Sequence, residues 1–331
     1  MNFLNKIGNY KSNICLIDEN DKVFSYKDVL KNSEKISKGF KKRSLIFMLA
    51  QNHTEFITSY IGFFMNDMVQ MLIDPKIEDN LFETLTLKYL PDYILIPISR
   101  KINLENYENF LDLENHKIFK IKKNINYKIN KNLALMLSTS GSTGSIKFVR
   151  LSYKNIIDNT KNIVKYLNIK KNHRTITTMP PYYTYGLSII NTHLYAGASI
   201  FVTSSRVIEK SFWKYFNEKK ITSFGGVPYF YEIIKKLNFN KMYFPNLKYF
   251  TQAGGPLNKD LTKYFLNYAQ KTKTNFVIMY GQVEATSRMT YLPYKISKRK
   301  IGSIGIPIPG GKIFLQNAKS KNANKGEIVY Y

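Results

Sequence analysis

Cysteine is almost absent from this sequence of 331 residues. Cys15 is the only one, which excludes an intramolecular disulfide framework and is typical of proteins from reducing compartments. The N-terminal segment also lacks the apolar core and small-residue cleavage site of a secretory signal peptide. We therefore expect a cytoplasmic protein.

Long apolar runs are missing as well. The apolar run at residues 45–50 is far shorter than the roughly 20 residues that cross a bilayer. The sequence therefore predicts no membrane span and no membrane partner.

Acidic residues are scarce, since 23 Asp and Glu stand against 50 Lys and Arg, for a formal net charge of +27. Such an excess is found in proteins that bind nucleic acid or anionic membranes. Here only seven of the basic residues are Arg, and the lysines are scattered among abundant Asn, Ile, Tyr and Phe, as AT-rich codons would supply. We therefore expect solvated lysines rather than a nucleic-acid site, and we place the basic run 295–300 in a surface loop.

The chain contains no repeat of solenoid period and no Pro-rich or Gly/Ser-rich linker. Short apolar runs alternate instead with segments of helical period, which predicts parallel sheets with helices on their faces. The predicted strands are 45–50, 69–73, 93–96, 134–137, 175–179, 200–202, 222–224, 249–251 and 276–280. The predicted helices are 54–65, 79–90, 228–237 and one that Ser152 caps.

The predicted fold class is α/β, with two α/β lobes whose mainly parallel sheets are flanked by helices. We place the first lobe at residues 1–130 and the second at 131–305. Residues 306–331 would begin a small β subdomain, with strands at 312–315 and 326–331. Because this last pattern stops without a closing turn, we expect the chain to be a fragment or a truncated form.

Residues 138–144 read Ser-Thr-Ser-Gly-Ser-Thr-Gly and follow a predicted buried strand. Small residues let a backbone approach a phosphate chain, and consecutive N–H groups and hydroxyls bind its oxygens. Lys147 adds a positive charge for the distal phosphates. No Lys-Ser or Lys-Thr pair follows Gly144, so this is not the Gly-x-x-x-x-Gly-Lys-Ser/Thr loop. A flexible turn could have the same composition, but it needs neither the preceding strand nor the lysine.

The stretch 137–147 resembles the phosphate loop of the adenylate-forming superfamily. This superfamily includes acyl- and aryl-CoA synthetases, the adenylation domains of peptide synthetases, and luciferases. Its loop usually continues Pro-Lys-Gly. Here Ile146 and Phe148 stand in place of Pro and Gly, while Lys147 is retained.

Further segments resemble the superfamily's motifs and occur in the same order. They are Phe-Ser-Tyr-Lys-Asp-Val-Leu at 24–30, Met-Leu-Ile-Asp-Pro at 71–75, Pro-Pro-Tyr-Tyr-Thr-Tyr-Gly-Leu at 180–187, Gly-Gly-Val-Pro at 225–228, Gln-Ala-Gly-Gly-Pro-Leu at 252–257, Tyr-Gly-Gln-Val-Glu at 280–284 and Lys-Gly-Glu-Ile at 325–328. The resemblance spans essentially the whole chain. It implies the large ATP-binding domain of an enzyme that activates a carboxylic acid as acyl-AMP.

The resemblance also implies roles for individual residues. Glu284 would hold Mg²⁺, a hard cation that prefers carboxylate oxygen, and Tyr280 would stack beside adenine. Val283 stands where the superfamily has a Thr whose hydroxyl touches the α-phosphate, and losing such a hydrogen bond costs about 1.5–3 kcal/mol. Tyr182 or Tyr183 stands where many acyl-CoA synthetases have His.

The candidate site residues fall into four groups. The catalytic candidates are Lys147 and Glu284, and the metal-binding candidates are Glu284 and Thr139. The nucleotide-binding candidates are Thr139, Ser140, Gly141, Ser142, Thr143, Gly144, Gly254, Gly255, Pro256, Tyr280, Gly281, Gln282 and Val283. The candidates for the substrate pocket are Tyr183, Tyr185, Gly186, Asn191 and Met279.

The implied reaction is the ATP-dependent adenylation of a small carboxylic acid with Mg²⁺. In the complete protein, the acyl group would then pass to coenzyme A or to the phosphopantetheine of an acyl carrier protein. The superfamily's C-terminal lid domain, with its ribose-binding Asp, hinge and lysine, has no counterpart up to Tyr331. Two alternatives remain open: a non-catalytic nucleotide-binding remnant, and amino-acid adenylation for carrier loading. The latter is disfavoured because no carboxylate follows Tyr185 to pair an α-ammonium group.

Overall fold

A computed structural model describes residues 3–123, 125, 128–139, 147–316 and 325–331 of the chain. The centre of the predicted phosphate loop, residues 140–146, lies outside the described residues. Among the helices described, none combines the length and the apolar character needed to cross a bilayer.

Strands and helices alternate through most of the chain. The strands are β1 (Ile14–Ile17), β2 (Val23–Ser25), β3 (Leu45–Leu49), β4 (Val69–Ile73), β5 (Tyr93–Pro97), β6 (Tyr107–Asp112), β7 (His116–Ile121), β8 (Leu133–Ser138), β9 (Phe148–Ser152), β10 (Arg174–Ile176), β11 (Ser199–Phe201), β12 (Ser223–Gly226), β13 (Tyr249–Gln252), β14 (Asn275–Tyr280), β15 (Thr290–Tyr291), β16 (Ile306–Pro307), β17 (Ile313–Gln316) and β18 (Glu327–Tyr330). The helices are α1 (Phe3–Gly8), α2 (Tyr26–Ser37), α3 (Thr54–Met65), α4 (Asp79–Tyr89), α5 (Tyr153–Leu167), α6 (Thr184–Ala196), α7 (Lys210–Glu218), α8 (Pro228–Lys236), α9 (Lys259–Lys271) and α10 (Tyr294–Ser297), with 3₁₀ turns at Phe239–Lys241 and Val283–Ala285.

The first sheet has the order β6-β7-β5-β3-β4-β8-β9. Its central pairs are parallel, and the pairs at its edges are antiparallel. Ile46 and Met48 of β3 pack into one apolar cluster, while Phe47 and Leu49 pack into another. Both faces of this strand are therefore covered, which is why it reads as a continuous apolar run.

The second sheet has the order β16-β15-β14-β13-β12-β10-β11-β1-β2, and its pairs from β14 to β1 are parallel. Phe224, Phe250 and Phe276 lie directly opposite one another on β12, β13 and β14. Their rings stack with centroids 5.3 and 4.8 Å apart. This aromatic ladder is the centre of the core between the sheet and helices α8 and α9.

Local signals in the sequence explain where two of the helices begin. Ser25 and Ser152 are the N-caps of α2 and α5, and each forms a reciprocal capping box with the residue three positions later. Pro228 occupies the first turn of α8, where a missing N–H group costs nothing.

The predicted α/β class, with mainly parallel sheets flanked by helices, is confirmed. Helix 54–65 and strand 69–73 have the predicted bounds, and the two predicted strands near the C-terminus form an antiparallel pair. The strand predicted at 175–179 begins one residue earlier and ends three residues earlier, because β10 covers Arg174–Ile176. The surface loop predicted at 295–300 is wrong at its start, because residues to Ser297 form α10 and Ser297 is buried.

The sheets do not divide at residue 130. Strands β8 and β9, which follow that position, complete the first sheet, and strands β1 and β2 from the beginning of the chain extend the second. The chain therefore passes from the second sheet to the first and back again. The division into lobes at residues 130 and 305 remains a prediction.

Tyr26 ties helix α2 to the end of helix α6. Its hydroxyl is buried and donates to the carbonyl of Ala198, 2.8 Å away, beyond the end of α6. The carbonyl oxygens of His193 and Leu194 lie 3.2 and 3.1 Å from the same hydroxyl. The His193 and Leu194 carbonyls also accept from the amides of Ala198 and Gly197, so the hydroxyl adds a side-chain donor to an already capped end of α6.

We expect Tyr26→Phe to lower the free energy of unfolding by about 1–3 kcal/mol, because it removes the hydroxyl donor from the buried carbonyl of Ala198. Urea denaturation followed by tryptophan fluorescence measures this loss. The control is Tyr243→Phe, whose ring is 76% exposed, and it should leave the midpoint unchanged. Equal stability of the two variants would contradict the role of the Tyr26 hydroxyl.

Candidate functional site

A cavity of about 1030 Å³ lies at the carboxyl ends of β12, β13 and β14. Ser138 and Thr139, at the end of β8 in the first sheet, contribute to the same cavity. In open α/β sheets, ligands bind in the crevice outside the carboxyl ends of the strands. The cavity therefore occupies the position at which ligands bind in sheets of this kind.

Most of the candidate site residues that the structure describes line this cavity. They are Thr139, Tyr183, Tyr185, Gly254, Gly255, Pro256, Met279, Tyr280, Gly281, Gln282, Val283 and Glu284. Residues far apart in the sequence are thus brought to one place by the pairing of the strands.

The segment after β14 turns back sharply at Gly281. A Cβ atom at this position would collide with the carbonyl group of Ser287, so a side chain does not fit. The amide of Met289 donates to the carbonyl of Tyr280 and closes the loop. Within this loop Glu284 lies in a 3₁₀ turn, exposed at the cavity. Its carboxylate is free to bind a cation that enters the cavity.

Thr286, two residues beyond Glu284, adopts a φ of +78° that non-glycine residues rarely take. The hydroxyl of Thr184 donates to the carbonyl of Thr286, and the hydroxyl of Ser287 donates to the carbonyl of Thr184. Such a conformation costs about 1–3 kcal/mol and persists only where its surroundings impose it. The loop that carries Glu284 is therefore anchored to the start of α6.

The turn after β13 presents backbone rather than side chains to the cavity. Gly254 has a φ of +85°, and both Gly254 and Gly255 are exposed there. The side-chain Nε2 atom of Gln252 donates to the carbonyl of Gly255 at 2.8 Å. The Oε1 atom of the same side chain is buried. No donor among the described residues reaches this Oε1 atom. The turn thus offers a flat surface with an unused acceptor behind it.

Two candidate pocket residues, Tyr185 and Met279, form the buried end of the cavity. The Tyr185 hydroxyl donates to the carbonyl of Thr251 at 2.7 Å. Burial raises the pKa of Tyr185, so this hydroxyl stays protonated. Tyr183, by contrast, is 48% exposed at the cavity's rim. Of the two tyrosines at the position of the superfamily's His, Tyr183 therefore faces the cavity, while Tyr182 is half-buried beside Asp74.

The ends of the predicted phosphate loop lie close together. Strands β8 and β9 are antiparallel, and the amide of Thr139 donates to the carbonyl of Lys147 at 3.0 Å. Lys147 is exposed, and it does not line the cavity in this structure. Ser140, Gly141, Ser142, Thr143 and Gly144 lie outside the described residues. Their phosphate-binding role stays a prediction, as does that of Lys147.

Gly186 and Asn191 do not line the cavity. Gly186 packs tightly against the carbonyl groups of Met179 and Pro180, so it serves the close approach of α6 to that segment. Asn191 is buried on another face of α6, beside the hydroxyl of Tyr60. Their assignment to a substrate pocket therefore finds no support in the geometry of this cavity.

Sequence reasoning did not single out Arg288, which is buried behind the cavity with 2% of its surface exposed. Its guanidinium carbon lies 4.4 Å from the centre of the Tyr185 ring, and its Nη2 atom donates to the Ser188 hydroxyl at 2.8 Å. The sequence did contain a signal for this residue. Most basic residues of the chain are Lys, but an Arg follows the Tyr-Gly-Gln-Val-Glu segment by four positions.

Another group of metal-ligand type residues lies between α3 and the start of β7. Ligand atoms of His53, Glu55 and His116 lie within 4.8 Å of one another. The Glu55 carboxylate, however, already accepts from the amides of Glu114 and Asn115 and contacts His116 Nδ1 at 2.6 Å. These contacts hold the turn between β6 and β7 against α3, which is a structural role.

The chain matches the AMP-binding family, described as AMP-binding enzyme, over residues 3–331. Oxalate--CoA ligase from Arabidopsis thaliana is 26% identical over 204 residues, which cover 59% of this chain and 39% of the relative. 2-Succinylbenzoate--CoA ligase from Oceanobacillus iheyensis is 25% identical over 195 residues, which cover 59% and 39%. The matched region thus spans about two fifths of the length of these curated relatives.

Solved structures share the fold of the whole chain. O-succinylbenzoate coenzyme A synthetase from Bacillus subtilis, in complex with ATP and magnesium ion, superposes with a TM-score of 0.80 at 17% identity and covers 99% of this chain and 70% of its own. The N-terminal domain of FACL13 from Mycobacterium tuberculosis has a TM-score of 0.80 at 14% identity, with 99% and 88% covered. Because the family match extends over nearly every residue, this chain belongs to the AMP-binding enzyme family.

Proposed function

We propose that this chain is the nucleotide-binding part of an AMP-forming acid–thiol ligase, which activates a carboxylic acid as acyl-AMP. The observation that carries the proposal is the convergence of Thr139, the turn at Gly254 and the segment from Tyr280 to Glu284 on one cavity. Membership of the AMP-binding enzyme family supports it.

The cavity fits a purine nucleotide at the turn after β13. A flat base would lie against the exposed backbone of Gly254 and Gly255, where a side chain would fill the space. Tyr280 lines the same cavity and would stack beside the base. The Oε1 atom of Gln252, buried without a donor among the described residues, supplies an acceptor for an amino group nearby.

Glu284 fits the role of a Mg²⁺ ligand. It is the acidic side chain among the described residues that line the cavity, and it is exposed on an anchored loop. The hydroxyl of Thr139 lines the same cavity from the opposite sheet and is the second oxygen ligand we propose. Mg²⁺ bound there would neutralise negative charge on the phosphate oxygens.

In the proposed reaction, a carboxylate oxygen of the acid attacks the α-phosphorus of ATP. The bond from this phosphorus to the pyrophosphate oxygen breaks, so that acyl-AMP and pyrophosphate form. The chain contributes mainly by orienting the two substrates and by stabilising negative charge with Lys147 and the N–H groups of residues 138–144. Val283 offers no hydroxyl to the α-phosphate, and it packs instead against the core beside the first sheet.

The acid is one without a charged α-amino group. Glu284 is the carboxylate that lines the cavity among the described residues, and we assign it to Mg²⁺. An α-ammonium group buried beside Tyr185 would therefore have no partner, which is costly. The names of the relatives specify oxalate and 2-succinylbenzoate as acids and CoA as the thiol. We propose CoA or a carrier-protein phosphopantetheine as the acceptor in the complete protein.

The first test is pyrophosphate exchange across a panel of carboxylic acids, with ATP and Mg²⁺. We expect isotope from labelled pyrophosphate to appear in ATP with at least one acid, and none without acid. Binding of ATP·Mg²⁺ by calorimetry without exchange would instead support a non-catalytic nucleotide-binding protein, an alternative that Val283 favours. If neither binding nor exchange occurs, both proposals are wrong.

The second test is Glu284→Gln, which keeps the shape of the side chain and removes its charge. We expect the affinity for ATP in the presence of Mg²⁺ to fall at least about tenfold, or roughly 1.4 kcal/mol, as measured by calorimetry. Affinity for ATP with EDTA should not change. The matched control is Glu232→Gln on the exposed face of α8, which should behave as the native chain. An equal loss with and without Mg²⁺ would count against metal binding by Glu284.

A further inference from the structure

Arg288 is a buried cation whose hydrogen-bonding capacity is largely unused. A guanidinium group carries five N–H donors and remains charged in proteins. The Nη2 atom donates to the Ser188 hydroxyl, the Nη1 atom faces the thioether sulfur of Met279, and the Tyr166 hydroxyl is a further acceptor. No acceptor among the described residues reaches the Nε atom. A thioether is a weak acceptor, so most of the donors lack a strong partner.

The buried charge also lacks a counter-ion within the chain. Every Asp and Glu of the sequence lies among the described residues, and none of them forms an ion pair with Arg288. Burying an unpaired charge is unfavourable, because the charge loses its hydration. The face of the Tyr185 ring offsets this cost in part. An anion from outside the chain, bound to Arg288, would offset the rest of this cost.

Other arginines show what structural arginines look like in this protein. Arg43 donates to the carbonyls of Asp67, Leu133 and Asn130, and thereby ties together three segments. Arg174 donates to the carbonyl of Lys219 and to a serine hydroxyl. These guanidinium groups bind carbonyl oxygens, which are strong acceptors. Arg288 contacts no carbonyl oxygen through its side chain among the described residues.

The position of Arg288 connects it to the cavity. Tyr185 and Met279 both line the buried end of the cavity, and both contact the guanidinium group. Tyr185 is fixed by its hydrogen bond to Thr251, but Met279 is unbranched and has three rotatable bonds. A change in the rotamer of Met279 would expose Nη1 and Nε to a ligand without any movement of the backbone.

We propose that Arg288 binds a second carboxylate of the acid, so that the substrate is a dicarboxylic acid. This inference rests on the proposed function, in which the other carboxylate of the acid attacks the α-phosphorus of ATP. The second carboxylate would extend past Tyr185 and displace the Met279 side chain from the guanidinium group. Arg288 then determines specificity, and it takes no part in the attack on phosphorus.

The test compares acids of equal shape that differ in the second charge. The probes are adipate against hexanoate, and terephthalate against its monomethyl ester, titrated by calorimetry into the native chain with AMP present. We expect each diacid to bind at least about thirtyfold more tightly than its partner, because removing one member of a buried, hydrogen-bonded charge pair has effects of this size. Equal binding, or tighter binding of the monoacids, would overturn the proposal without use of any variant.

Arg288→Met then locates the effect. We expect the preference for diacids to fall to within about threefold while monoacid binding stays unchanged, and Arg288→Lys to retain part of the preference. The control is Arg174→Met, which removes a half-buried Arg remote from the cavity and should keep the full preference. If Arg288→Met weakens all acids equally, Arg288 is structural and the proposal is wrong.

Pyrophosphate exchange with the same acids separates the two proposals. A preference for diacids in binding, lost in Arg288→Met, supports the role of Arg288 even if no exchange occurs. In that case the proposed ligase activity is what fails. In the pyrophosphate-exchange assay, Arg288→Met should raise the KM for the diacid with little change in kcat. The reason is that the contact with Arg288 is the same in the ground state and the transition state.

Discussion

A ladder of three stacked phenylalanines holds the strands that build the site in register. Because side chains alternate along a strand, a slip of one residue would move Phe224, Phe250 or Phe276 to the opposite face of the sheet. With the rings stacked, Gly226 lies opposite Gln252 and Gln252 opposite Ile278. The three strands therefore end at the same level of the sheet, and the turns that follow them meet at one cavity.

The cavity also depends on the way in which the two sheets are held together. Ser138 and Thr139 come from the end of β8 in the first sheet, whereas the candidate site residues from Gly254 to Glu284 that line the cavity belong to or follow strands of the second sheet. Tyr183 and Tyr185 come from the start of α6. Tyr26 bonds α2 to the end of α6, and Val283 packs against the core beside the first sheet. The strained backbone at Thr286 is held by the beginning of the same helix. Helix α6 thus contacts α2 at its end and the loop that carries Glu284 at its start.

The central strands could be predicted from the sequence because both of their faces are buried, so each appears as a short apolar run. Strand β6 was missed because most of its residues are exposed or half-buried, and its pattern lacks a clear period. The inward face of α6 could not be identified because nearly all of its residues are buried. Asn191 was therefore assigned to the cavity although it faces Tyr60.

Much of the candidate site could be predicted from motifs, because the turns after strands carry residues whose chemistry is local: glycines for close approach and a carboxylate for a cation. Arg288 could not be, because its significance lies in what surrounds it. Its neighbours Ser188 and Tyr185 come from α6, about a hundred positions earlier in the chain. Whether a charge is paired is a property of the folded chain rather than of any segment.

Strand β1 is synthesised early and finds its partner late. The Asn13 side chain bonds to the carbonyl of Gly197, which is 184 positions away, and Leu16 pairs with Ile200 of β11. At about 5–20 residues per second, a ribosome needs roughly 10–40 s to make the intervening segment. Throughout this time β1 can pair with β2, but its other edge has no strand to join. Unpaired strand edges promote aggregation, so this edge of the nascent chain stays exposed to other chains until β11 emerges.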